Sequence, residues 1–115
     1  PVTLSRAMTK FDKYLNSVLA DARKLLDSNV RRGKKEAEAI LEAHVKNSRD
    51  RLKRWTRLLA IGEITEAEFK LLVNSQITLG KMRLRTVRVI SKRAALDLRN
   101  SLRALFVDKA IEMFL

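Results

Sequence analysis

The stretch Leu58-Leu59-Ala60-Ile61-Gly62-Glu63-Ile64-Thr65-Glu66-Ala67-Glu68-Phe69 decides the fold, because it reads as one helix ending and another beginning. Gly62 is the stop: lacking a Cβ, it takes the left-handed conformation that closes a helix at little steric cost. Thr65 is the expected N-cap of the second helix. Its hydroxyl accepts from the amide of Glu68, and the Glu68 carboxylate reaches back to the amide of Thr65. Ile64 packs on Phe69 as a hydrophobic staple. Glu63, Glu66 and Glu68 also place negative charge at the positive end of that helix. A tight turn over 62–65 follows.

Before the turn, apolar or small residues recur at Leu4, Met8, Phe11, Leu15, Val18, Ala22 and Leu25, alternating steps of four and three. That is a heptad seam. The stripe continues through Asn29, Gly33, Ala37, Ile40, His44, Ser48, Leu52, Trp55 and Leu59, with steps of four now dominant. After the turn it runs through Phe69, Val73, Ile77, Gly80, Leu84, Val87, Ser91, Ala94, Leu98, Leu102 and Leu105. The chain is therefore expected to be all-α.

Two stretches of weak helix formers interrupt these patterns, Ser28 to Gly33 and Asn74 to Gly80. The stripe keeps its phase through both, which favours a long antiparallel hairpin with helices over about 4–61 and 66–113. Its first helix would be roughly 85 Å long. Such a hairpin leaves apolar area uncovered at Leu15, Leu19, Leu105, Phe106 and Ile111, so it would self-associate into a four-helix-bundle-like oligomer through those residues. If both stretches break, the alternative is a compact four-helix monomer. The alternation in Met82 to Ile90 resembles a strand, but a lone strand has no partner, and helix is the reading.

A chain of 115 residues makes one domain, 1–115, with no room for two separate cores. No weight rests on residues 1–7. With 46% hydrophobic and 33% charged residues, it is too apolar for a disordered chain. No apolar run reaches the ~20 residues of a membrane span, and no secretory signal is evident. Cysteine is absent, which excludes thiolate metal sites and leaves the compartment open, the cytoplasm being the default.

His44 is the only histidine. Glu42 stands two residues before it, on a different face, and the second helix repeats no such pair, so neither metal nor cofactor is expected. One histidine, no cysteine and no phosphate-cradling glycine loop also argue against an enzyme.

Lysine and arginine number 25 against 13 acidic residues, a net charge of +12. Basic stretches run from Arg23 to Lys35, Lys46 to Arg57 and Lys81 to Arg103. In the hairpin register Arg23, Lys24, Arg31 and Arg32 face Lys92, Arg93, Arg99 and Arg103, and these eight form the candidate basic surface. The expected function is that of a non-enzymatic interaction or scaffolding protein, which self-associates and binds an acidic protein or a polyanionic surface. Nucleic-acid binding is the second reading: phosphate contact is feasible, but the six aromatics lie on or beside the apolar stripes and offer no stacking platform. The third is an anionic membrane surface, suggested by the apolar tail Leu102 to Leu115.

Overall fold

The computed structural model describes residues 9–29, 33–82 and 91–115, and among these all regular structure is helical. The elements are α1 (Lys10–Asn29), α2 (Lys34–Ala60), α3 (Glu66–Gln76), the single turn α4 (Leu79–Met82) and α5 (Lys92–Phe114).

The turn between α2 and α3 forms as the sequence dictates. Gly62 has φ +79°. The amide of Glu63 donates to the carbonyl of Leu58 at 2.9 Å and that of Gly62 to Leu59 at 3.2 Å. This pair of crossed bonds satisfies carbonyls that the end of a helix otherwise orphans. Thr65 and Glu68 make the reciprocal capping box, at 3.1 and 3.0 Å. Ile64 is half-buried against the core that holds Phe69.

The long hairpin does not form. Gly33, at φ +73° and ψ +20°, is the N-cap of α2, so the expected first helix is divided into α1 and α2. The molecule measures 41 × 38 × 21 Å, with a radius of gyration of 14.6 Å. That is close to the about 13 Å of a compact chain this long. The compact four-helix alternative is the architecture that fits. The physical reason is coverage. Folding α1 back lets it pack along both α2 and α5 and buries Tyr14, Val18 and Ala22 completely. Closing a short connection costs little chain entropy, whereas each large apolar side chain so buried stabilises by roughly 1.5–3 kcal/mol.

The second expected helix is divided as well. It ends at Gln76, with Ile77 at φ −94° and ψ +81°, outside helical geometry. Thr78 and Ser91 start α4 and α5, their hydroxyls accepting from the amides of Lys81 and Ala94, both at 3.1 Å. α5 is the central element, packed on α1 and α3. The core joins Tyr14, Val18, Leu52, Leu59, Phe69, Val73, Leu98, Leu102 and Phe106 into one cluster. Its phase differs by a residue from the expected stripe in places: Leu26, Leu41, Thr56 and Ala95 lie inside, where Leu25, Ile40, Trp55 and Ala94 were expected. The strand-like alternation at 83–90 lies outside the described residues.

Candidate polyanion-binding surface

The chain's excess of cations divides by what each cation touches. One set is held by the fold itself. Arg23 on α1 bridges to α2, its Nε 3.2 Å from Glu38 Oε1 and its Nη2 2.6 Å from Glu42 Oε1. Arg49 on α2 reaches Asp12 on α1 at 2.9 Å. That bond, with two more from Thr9, holds the Asp12 carboxyl below the usual range. Lys109 on α5 meets Asp21 at 3.0 Å and Lys34 meets Asp27 at 3.6 Å.

Arg103 belongs to this set for another reason. Its Nε donates to the carbonyl of Ile77 at 2.8 Å and its Nη2 to that of Asn74 at 3.0 Å. Those carbonyls are orphans at the negative end of α3, and a planar guanidinium is suited to fork onto two of them. From the opposite side His44 on α2 donates Nε2–H to the carbonyl of Gln76 at 2.9 Å. The Gln76 side chain continues the network, donating to Ser48 Oγ at 2.8 Å and accepting from Arg51 at 3.2 Å. Among the described residues no buried side-chain nitrogen or oxygen lacks a partner. His44 is thus a packing and capping residue. Burial above all, together with nearby Lys81, lowers its pKa against the raising effect of the Gln76 bond.

The eight expected surface cations consequently do not make one patch. Arg23 and Arg103 serve the fold, Arg99 donates twice to Asn100 Oδ1, and Arg31 and Arg32 lie outside the described residues. Lys24 is exposed and stands 3.9 Å from Asp21, and Lys92 and Arg93 are exposed. Lys92 and Arg93 occupy the first turn of α5, which holds no acidic residue. Cations there oppose the helix dipole.

The other set has no carboxylate partner among the described residues; Lys13, Lys35, Lys70, Lys92 and Arg93 belong to it singly or in pairs, and four more gather on one face of α2. Lys46, Lys53, Arg54 and Arg57 are exposed, and none has a carboxylate within 4 Å among the described residues. The stretches outside the description contain no Asp or Glu. Helical phase puts these four opposite the buried Leu41, Ser48, Leu52 and Leu59, a relation readable in the sequence once the core phase is correct. Lys81, on α4, borders the same face across a groove of about 320 Å³ that also touches Ala43, His44 and Asn47.

Of the five apolar residues expected at an oligomer interface, Leu15 and Phe106 are buried inside the chain's own core. Leu19, Leu105 and Ile111 pack half-buried against it. Among the described residues no three His, Asp or Glu side chains converge, and no helix is long and apolar enough to cross a membrane. A second groove, also of about 320 Å³, separates α3 from α5 and is lined by Lys70, Asn74, Asn100, Arg103, Val107 and Asp108.

Comparison with protein-family models, with curated proteins and with solved structures finds no match.

Proposed function

We propose that this chain is a non-enzymatic helical binding protein whose exposed cations hold a polyanion. The observation that carries this reading is the division of charge just described. Arg23, Arg49, Lys34 and Lys109 are paired with carboxylates, whereas Lys46, Lys53, Arg54 and Arg57 project together from one rigid helix with no carboxylate partner. Like charges so gathered repel one another, and an anionic partner removes that cost while releasing its own counterions. A non-enzymatic role is supported by His44, whose Nε2 is engaged by a backbone carbonyl. The bundle buries Leu102, Phe106, Val107 and Ala110 and half-buries Leu105, Ile111, Met113 and Phe114, which takes most of the tail's apolar surface from a lipid bilayer, so a polyanion is preferred over a membrane. Self-association is not required, since one chain presents the whole face.

The test is binding of a fluorescent sulfated polysaccharide across a salt series. Affinity should fall steeply between low and physiological ionic strength, and replacing Lys46, Lys53, Arg54 and Arg57 by alanine should abolish most of it. Binding indifferent to salt, or unchanged in that variant, overturns the reading.

A further inference from the structure

We infer that the polyanion is double-stranded DNA, and that the outward face of α2 from Ala43 to Arg57 lies in its major groove. The inference rests on the polyanion reading and narrows it to one ligand. At about 100° per residue, Ala43, Asn47, Asp50 and Arg54 fall along the middle of the exposed face. All four are exposed, and the side chains of Asn47, Asp50 and Arg54 make no hydrogen bond or ion pair among the described residues. Lys46, Lys53 and Arg57, all exposed, flank this mid-line on one side. On the other flank stand Arg51, one of whose guanidinium nitrogens donates to Gln76 at 3.2 Å while the rest of the group stays exposed, and Lys81, across the groove from Asn47.

This order of groups is what distinguishes duplex DNA from a featureless polyanion. A sulfated chain or an acidic helix would favour an unbroken row of cations, and Asp50 in the middle of the row would repel it. In a major groove the two phosphate strands stand apart on either side, about 12 Å from edge to edge, and the floor between them presents base edges rather than charge. Cations on both flanks then meet phosphates. Asp50 faces cytosine amino groups, Asn47 the paired donor and acceptor of adenine, and Arg54 the two acceptors of guanine. Ala43 keeps the entry narrow and leaves room for a thymine methyl.

Size supports the same partner. A helix with its side chains is about 10–12 Å across and fits that groove, whereas the major groove of duplex RNA is too deep and narrow to admit one. α2 has 27 residues, of which the first third carries Glu36, Glu38 and Glu42, with Glu38 and Glu42 sharing the single charge of Arg23, so this end of the helix stays acidic and limits the footprint. Glu63, Glu66 and Glu68 at the following turn mark the other limit of the footprint. Base stacking on aromatic side chains is not part of the mode, since Trp55 is half-buried against the core.

The experiment is fluorescence anisotropy with a labelled DNA duplex, a duplex RNA of equal length and the sulfated polysaccharide, each across a salt series. The DNA duplex should bind roughly tenfold or more tightly than the RNA duplex, the worth of one good bidentate base contact. Substituting Lys46, Lys53 and Arg57 by alanine should lower the log–log salt slope by about 2.7, near 0.9 per phosphate contact. Asn47→Ala with Asp50→Ala should leave that slope unchanged and flatten discrimination among DNA sequences. Circular dichroism should show both variants folded, because every substituted side chain is exposed. Equal affinity for both duplexes, or an unchanged slope in the lysine and arginine variant, overturns the inference. Salt-dependent binding to the polysaccharide with no preference for DNA overturns it too and leaves the polyanion reading standing. Binding to none of the three removes both.

Discussion

His44 shows how one residue type supports opposite readings until its partner is known. On the sequence it is a lone histidine among glutamates, and the fold gives it the carbonyl of Gln76. Its folded pKa is lowered, chiefly by burial. In the unfolded chain the ring protonates near the ordinary value of about 6.5. The unfolded state therefore binds more protons just below that pH, and the stability that neutral His44 contributes is complete above about 6.5 and lost as pH falls through the folded pKa. Thermal melts of the wild type and of His44→Gln across pH 5 to 8 should show the wild type losing stability below about 6.5 and the variant losing less. Identical pH profiles would remove His44 as the cause. Glutamine is the chosen substitute because its amide can still donate to Gln76.

At the scale of elements, helix ends decide this fold more than helix interiors do. α3 is short because its last carbonyls are bonded from outside, by Arg103 on α5 and His44 on α2, so the chain can leave helical geometry at Ile77 without stranding them. Arg103→Ala should destabilise the protein by about 1.5–3 kcal/mol in a denaturant titration, the range for bonds from a charged donor. Arg103→Lys should restore little, since an ammonium has no planar fork. Arg93→Ala, at an exposed position, should change stability by under about 0.5 kcal/mol. If the Arg103 and Arg93 variants lose equally little stability, Arg103 is a surface cation after all. The turn at Gly62 was legible because its signals are local: a glycine stop, a Thr65 cap and a Glu68 three residues on. The capping residues Thr9, Thr78 and Ser91 follow the same chemistry, and the sequence reading passed over them. Arg103 was not legible as a cap, because its carbonyl partners are 26 and 29 residues away and depend on how α3 and α5 cross. The free face of α2 was legible in part: the run from Lys46 to Arg57 stood out as basic, but choosing its outward members required the correct phase of Leu41 and Thr56.

The whole molecule turns on whether α1 covers its own chain or another. An unbroken stripe phase through Gly33 favoured a long helix and an intermolecular core, since phase alone is blind to a positive φ at one residue. With Gly33 at φ +73°, the same apolar residues close on each other within the chain. Tyr14 shows the closure most plainly. It is fully buried, its hydroxyl donates to the carbonyl of Phe106 at 2.7 Å, and its ring lies edge-on to Phe106 and Phe114. Burial raises its pKa well above the ordinary tyrosine value. The large apolar side chains left exposed among the described residues are Ile61, Leu71 and Leu115, each on a different element or terminus. Scattered residues of this kind do not form the contiguous patch that drives association. Sedimentation equilibrium is therefore expected to give a species of 13.2 kDa at micromolar concentration. Phe106→Asp separates the two architectures. In a monomer it places an unpaired carboxylate among Tyr14 and the α5 core, a loss of at least the about 3–5 kcal/mol of a Phe→Ala truncation, and the far-ultraviolet helical signal should collapse. In an oligomer joined at Phe106, the same substitution would release helical monomers with their circular dichroism intact. A wild-type dimer that Phe106→Asp converts into folded monomers would restore self-association and place the core between chains.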